Sequence, residues 1–166
     1  TVEIATNDKT IKRVGVLATQ ATASSNAFTK EFRKLNPKVK VYEQAAPLLV
    51  PLIENNSLKF AEPILREYMK PLLSKNVDAI LLGCTHYSIL KNKLRKMTGN
   101  PIRVISQDEL LPTKLENYLK RHPEMEKRLS KNGKKQLLVT DITTHNKNLA
   151  KLWFGNNIKL KRVELD

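Results

Sequence analysis

The stretch Val77-Asp78-Ala79-Ile80-Leu81-Leu82-Gly83 decides the fold, because it is the clearest buried strand in the chain. A short continuous apolar run that ends in a glycine is typical of a strand covered on both faces of a parallel sheet. Longer amphipathic stretches flank it. We predict a helix over residues 58–75, bent at Pro71, before the strand, and another over residues 86–97 after it.

The same alternation extends over the whole chain. Further strands are predicted at residues 13–19, 38–44, 102–105, 136–141 and 158–165. Further helices are predicted at residues 24–35, 108–121 and 146–154, with a short helical turn within 47–54 and a basic, mobile connection over 123–135. This pattern predicts an α/β fold with a mostly parallel sheet flanked by helices.

The predicted elements divide unevenly along the chain. Residues 12–105 hold a complete α/β lobe. Residues 106–166 add only two strands and two helices, which bury too little surface for an independent domain. We therefore expect residues 106–166 to return into another lobe that is mostly missing, and residues 1–11 to connect the two lobes.

Composition narrows the class of protein. Hydrophobic residues make up 40% and charged residues 28%, which indicates a globular chain. We see no apolar run long enough for a membrane span and no secretory signal pattern. The single cysteine excludes an internal disulfide and fits a reducing compartment. We expect a cytoplasmic protein without membrane association.

The formal charge of +14 predicts weak, non-specific attraction to polyanions. A dedicated nucleic-acid site would place aromatic residues among the basic ones, and aromatic residues are only 5% of this chain. Specific nucleic-acid binding is therefore not expected, although the charge could help to attract an acidic substrate.

Cys84 directly follows the strand that ends at Gly83, and a helix is predicted from His86. This places the sulfur at the carboxyl edge of a parallel sheet, where open α/β folds bind ligands. A helix N-terminus and a neighbouring histidine both favour the thiolate form of a cysteine. A cysteine after an apolar run is also a common small core residue, so the pattern alone leaves both interpretations open.

Longer motifs carry a family resemblance. Leu82-Gly83-Cys84-Thr85-His86-Tyr87 resembles the second cysteine motif of glutamate racemases, whereas the related aspartate racemases usually have Glu at the position of His86. Three further segments resemble the same family in the same order: Gly15 to Ser24 followed by Phe28, Pro47 to Glu54, and Val139-Thr140-Asp141 followed by a helix and Phe154-Gly155. The chain looks like the C-terminal portion of such an enzyme.

The resemblance implies a reaction and its residues. Glutamate racemases use no cofactor and no metal, and two cysteines on opposite faces of the substrate exchange its α-proton. By resemblance, Cys84 is one of these bases, His86 assists its proton transfer, and Glu54 orients the histidine. The hydroxyl and N–H groups of Thr85, Thr22 and Thr19 are expected to bind the substrate carboxylates. The second cysteine is expected in the missing first lobe, so this chain alone should be inactive. Members of this family commonly dimerise, so a homodimer is also considered.

The chain departs from the family pattern in three places. Ser88 stands where the family usually has Pro, and Ala46 replaces a frequent Cys; we expect neither to contact the proton chemistry. Ile105-Ser106 falls where an Asp-Ser pair is common. Two alternative functions stay open: a racemase of the same superfamily with another substrate, or a non-catalytic basic module that binds nucleic acid or a protein partner.

Overall fold

The computed structural model describes residues 1–165 and confirms the predicted α/β fold. The described chain forms two compact units, Thr1–Asn117 and the residues from Tyr118 onward. The predicted lobe boundaries at residues 11 and 105 stay predictions. None of the helices in the described part of the chain is both long and apolar enough to cross a membrane.

The first unit is built on a four-stranded sheet of β1 (Arg13–Ala18), β2 (Lys40–Ala45), β3 (Ala79–Leu82) and β4 (Arg103–Ile105). The strand order is β2-β1-β3-β4, and every pairing is parallel. The helices of this unit are α1 (Val2–Asn7), α2 (Gln20–Ser25), α3 (Ala27–Leu35), α4 (Leu49–Glu54), α5 (Ala61–Leu73) and α6 (Lys91–Thr98). Helix α7 follows at Gln107–Arg121.

Alternate residues of the central strands enter two separate cores, because successive side chains of a strand point to opposite faces of the sheet. Ile80 and Leu82 of β3 pack in one core with residues of α4, α5 and α6. Ala79 and Leu81 pack in the other core with residues of α1 and α3. Burial on both faces explains why the strand reads as a continuous apolar run.

Three segments differ from their predicted form. The single helix predicted over residues 24–35 is two helices, because Asn26 adopts the left-handed conformation (φ 52°) between α2 and α3. Residues Thr85–Leu90 form a 3₁₀ helix, and the α-helix begins only at Lys91. The predicted connection over residues 123–135 contains α8 (Pro123–Glu126), which Pro123 starts at a position where its missing N–H costs nothing.

The N-terminal segment is also more structured than expected of a connection. Residues 2–7 form α1, and Val2, Ala5 and Ile11 are buried in the same core as β1. The segment is therefore part of the first unit. Its predicted role as an inter-lobe connection stays a prediction.

The second unit contains α8, the strands β5 (Leu137–Val139) and β6 (Leu160–Arg162), and α9 (Thr144–Phe154) between them. The two strands pair in parallel. Gly155 ends α9 with φ 91°, as its place after the predicted helix suggested. Several large apolar side chains of this unit are exposed, among them Leu138 at 55% and Phe154 at 57%.

Candidate functional site

Thr19 and Cys84 follow the ends of two neighbouring strands at the carboxyl edge of the sheet. The neighbouring strands β1 and β3 end together, and the Gly83 N–H donates to the Leu17 carbonyl at 2.8 Å. The chain continues from β1 to β2 on one side, whereas β3 lies on the other. The two residues therefore flank the switch point of the sheet, where open α/β folds form their ligand crevice.

Gly83 is needed for close packing directly before Cys84. A Cβ at this position would lie 2.9 Å from the Phe28 ring and 3.1 Å from the Ala18 Cβ, both too close for ordinary contact. Phe28 in turn packs against the core that contains Ala18. Because Gly83 has no side chain, the Phe28 ring of α3 can cover the end of β3. This contact fixes the position of the backbone at Cys84.

Three side chains form a line that begins at the thiol. Cys84 Sγ lies 3.8 Å from His86 Nδ1, and His86 Nε2 lies 3.0 Å from Glu54 Oε1. When the Nε2–H donates to the Glu54 carboxylate, Nδ1 keeps its lone pair and faces the thiol. The arrangement can therefore take a proton from Cys84 and return it.

Local structure fixes the positions of Cys84, His86 and Glu54. Glu54 is the last residue of α4, and the buried Leu49 and Ile53 anchor that helix in the core. Cys84 is partly buried and precedes the 3₁₀ helix that carries His86. The His86 side chain is 31% exposed, so the line remains reachable by a substrate.

Tyr87, which follows His86, connects the same 3₁₀ helix to the residue that follows β2. Its ring is fully buried, and its hydroxyl donates to the Ala46 carbonyl at 2.9 Å. Burial, followed by the negative charges of Cys84 and Tyr68 in their ionised forms, raises the pKa of Tyr87 well above its usual range. Tyr87 therefore stays a neutral hydrogen-bond donor with a structural role.

The three threonines occupy two places. Thr85 is exposed at the first position of the 3₁₀ helix, between Cys84 and His86. Thr19 is the N-cap of α2, where its Oγ1 accepts from the Thr22 N–H at 3.4 Å and its hydroxyl donates to the Thr22 hydroxyl at 3.0 Å. The structure thus brings Cys84, His86 and Glu54 together and forms a separate Thr19–Thr22 pair at the end of β1.

A second polar cluster was not predicted from the sequence. The buried Ser106 follows β4, and its Oγ lies 2.9 Å from Ser88 Oγ and 2.5 Å from Asp108 Oδ1. Lys91 Nζ donates to Asp108 Oδ2 at 2.5 Å. The sequence signal was limited to Ser88, which stands where the family usually has Pro, and to Ile105, which precedes Ser106 where the family commonly has Asp.

No group of three or more His, Cys, Asp and Glu side chains within residues 1–165 is placed to hold a metal ion.

Comparison with known proteins identifies the family of the chain. The family model for Asp/Glu/Hydantoin racemases matches residues 2–108, which include every residue of the candidate site. The chain therefore belongs to the Asp/Glu/Hydantoin racemase family.

Within that family, the chain is similar to glutamate racemases. It is 34% identical to the glutamate racemase of Persephonella marina over 168 aligned residues, which cover 99% of this chain and 61% of that protein. It is 37% identical to that of Carboxydothermus hydrogenoformans, covering 93% and 58% of the two chains. A crystal structure of Francisella tularensis glutamate racemase in complex with D-glutamate superposes with a TM-score of 0.84 at 28% identity, covering 99% of this chain and 63% of that one. The chain thus spans about three fifths of these relatives' length.

Proposed function

We propose that this chain supplies one half of the active site of a glutamate racemase, with Cys84 as one of two proton-transferring thiols. The observation that carries the proposal is the line from the Cys84 thiol through His86 to Glu54, at the switch point of the sheet. The similarity to glutamate racemases over nearly the whole chain supports the choice of substrate.

In the proposed reaction, the Cys84 thiolate removes the α-proton from one face of glutamate, and the electron pair of the broken C–H bond delocalises into the α-carboxylate. A second thiol then donates its proton to the opposite face of the α-carbon. The reverse reaction exchanges the two roles. No redox change occurs, so the reaction needs no oxidant, and by family resemblance it uses no cofactor.

His86 and Glu54 are proposed to reset Cys84 between turnovers. The thiol proton passes to His86 Nδ1, which lies 3.8 Å away, while the Glu54 carboxylate holds Nε2–H and stabilises the charged imidazole. In this proposal, His86 and Glu54 act through their positions relative to Cys84 rather than through contact with the substrate.

The second thiol must come from outside these residues, because Cys84 is the single cysteine of the sequence. We propose that it lies in a first lobe, which corresponds to the part of the relatives that this chain does not cover. The 166-residue chain alone would then be inactive, since each thiol serves only one face of the substrate.

Substrate binding is assigned to the threonines. Thr85 and the Thr19–Thr22 pair offer hydroxyl and N–H groups near the thiol, at the starts of the 3₁₀ helix and of α2. Such groups suit the two carboxylates of glutamate. The net charge of +14 favours the approach of this anion. By family resemblance, the product D-glutamate would be used in the cytoplasm for peptidoglycan synthesis, and the complete enzyme could act as a homodimer.

A substrate panel tests the assignment. The two-lobed protein would be incubated separately with L-glutamate, L-aspartate and L-alanine, and the D-enantiomers measured by chiral chromatography. We expect D-product from glutamate alone. D-aspartate as the main product would move the protein to another member of the family. No product from any of them would favour a binding role.

A further inference from the structure

The 3₁₀ helix Thr85–Leu90 directs three consecutive side chains to three different places. With three residues per turn, neighbouring side chains point about 120° apart. His86 faces Glu54 and Cys84, Tyr87 reaches the end of β2 at Ala46, and Ser88 reaches Ser106 after β4. The histidine is therefore carried by a short segment that is tied to both outer strands of the sheet.

The connection toward β4 is a series of hydrogen-bonded polar groups that ends in the ion pair between Asp108 and Lys91. The Ser106 hydroxyl is fully buried and donates to Asp108 Oδ1, which leaves the Ser106 oxygen free to accept from the Ser88 hydroxyl at 2.9 Å. Asp108 is held in turn by Lys91 Nζ, whose side chain is only 14% exposed. Each of these side chains fixes the orientation of the next, so the hydrogen-bonded series is ordered from Lys91 to Ser88.

We propose that Ser88 and Ser106 are positioning residues that hold the 3₁₀ helix so that His86 stays within reach of Cys84. The inference rests on the proposed role of Cys84 as a base. It also gives a function to a departure from the family pattern, because a proline at position 88 could not donate to Ser106. Ser88 is not expected to contact the proton chemistry itself, and by this proposal its effect is indirect.

The contact between Cys84 and His86, which Ser88 is proposed to maintain, is sensitive to small movements. The distance of 3.8 Å between Cys84 Sγ and His86 Nδ1 is long even for a hydrogen bond to sulfur. A displacement of the 3₁₀ helix by a few tenths of an ångström would therefore weaken it. The Tyr87–Ala46 hydrogen bond acts on the β2 side of the segment, whereas the Ser88–Ser106 contact acts on the β4 side.

Cys84 offers a direct readout, because it is the single thiol of the chain. We would measure its alkylation rate by iodoacetamide at pH 7.5 in the 166-residue chain and in the variants Ser88→Ala, Ser88→Thr, Ser106→Ala and His86→Asn. Ser74→Ala is the matched control, since its exposed hydroxyl donates to the Pro71 carbonyl three residues away. Circular dichroism would confirm that each variant is folded.

We expect His86→Asn, Ser88→Ala and Ser106→Ala each to slow alkylation by roughly three- to ten-fold, as for a displaced proton acceptor. Ser88→Thr, which keeps the hydroxyl, should restore the rate, and Ser74→Ala should not change it. The ¹⁵N chemical shifts of the His86 ring should move in Ser88→Ala and return in Ser88→Thr.

A folded Ser88→Ala chain with unchanged alkylation and unchanged His86 shifts would overturn the proposal. So would equal slowing in Ser88→Ala and Ser88→Thr, because the hydroxyl would then be irrelevant. Neither measurement uses glutamate, so the result is separate from the substrate test. If His86→Asn alone leaves alkylation unchanged, the assumed Cys84–His86 coupling fails instead, and with it the proposed proton line.

Discussion

His86 Nε2 lies 3.0 Å from Glu54 Oε1, although the two residues are 32 positions apart in the chain. The contact joins the end of α4 to the 3₁₀ helix after β3, and it leaves the other ring nitrogen directed at Cys84. A carboxylate, an imidazole and a thiol in this order are the arrangement that we propose for proton transfer to and from Cys84.

Replacing Cys84 by Ala should abolish racemisation in the two-lobed protein. Removal of one of two bases is expected to lower kcat by at least about 10³-fold. The fold should persist, since Cys84 is only partly buried at the rim of the core. Polarimetry from both enantiomers, with a thermal melt as the folding control, measures this. Near-normal turnover would end the two-thiol account.

The substitution Glu54→Gln keeps the size of the side chain and removes the charge that faces His86. We expect kcat to fall by about ten-fold or more, with KM changed less, because Glu54 is proposed to act through the histidine. Glu67→Gln is the matched control, since Glu67 pairs with the exposed Lys70 on α5, three residues away. Equal rates for the two variants would show that Glu54 has no part in the reaction.

The packing at Gly83 is testable through stability. Gly83→Ala places a methyl group 2.9 Å from the Phe28 ring, so we expect a loss of about 1–3 kcal/mol in the free energy of unfolding from overpacking. In a Phe28→Ala background the same substitution should cost less, because the ring is gone. Urea titrations of the four chains give the coupling. Purely additive effects would exclude the ring as the cause.

Tyr87→Phe should remove the buried hydrogen bond to the Ala46 carbonyl and leave that acceptor without its donor. We expect a loss of about 1–3 kcal/mol in the free energy of unfolding, as for an unsatisfied buried polar group. Tyr118→Phe is a suitable control, because Tyr118 is 41% exposed. Chemical denaturation compares them, and similar stabilities for both variants would contradict the proposed tie.

The ionisation of Asp108 is expected to make the free energy of unfolding depend on pH. Burial disfavours its charged form, but hydrogen bonds from Lys91 and Ser106 and the charge of Lys91 outweigh this, so the pKa of Asp108 is lowered from its ordinary value of 3.8. Its contribution is therefore complete above the unfolded-state value and is lost as pH falls through the lowered pKa.

The stability difference between the native chain and Asp108→Asn should then be constant above about pH 5 and shrink at lower pH. Urea unfolding between pH 2 and pH 7 measures it. A difference that does not vary with pH would show that the Asp108 charge contributes nothing.

The sequence predicted the sheet well, because strands such as β1 and β3 are buried on both faces and therefore read as continuous apolar runs. It missed the break at Asn26, since a single left-handed residue does not disturb the apolar spacing of the flanking helices. It also missed the 3₁₀ helix, because periods of 3.0 and 3.6 cannot be separated over six residues.

For the site, the proximity of Cys84 and His86 follows from their spacing, whereas the partnership of His86 with Glu54 was expected only from family resemblance. The Ser88–Ser106 contact was not predicted at all. Its two residues are 18 positions apart, and no local pattern relates the end of β4 to the 3₁₀ helix. Contacts of this kind depend on how strands align across the sheet, which the sequence does not show directly.

The central claim is that Cys84 is one of two thiols, each serving one face of glutamate. The most direct test follows loss of the α-proton signal of L- and D-glutamate in deuterated water by NMR. We predict exchange of both enantiomers by the two-lobed protein and none by the 166-residue chain alone. Exchange of both enantiomers by the short chain, or by a Cys84→Ala variant of the two-lobed protein, would contradict the account.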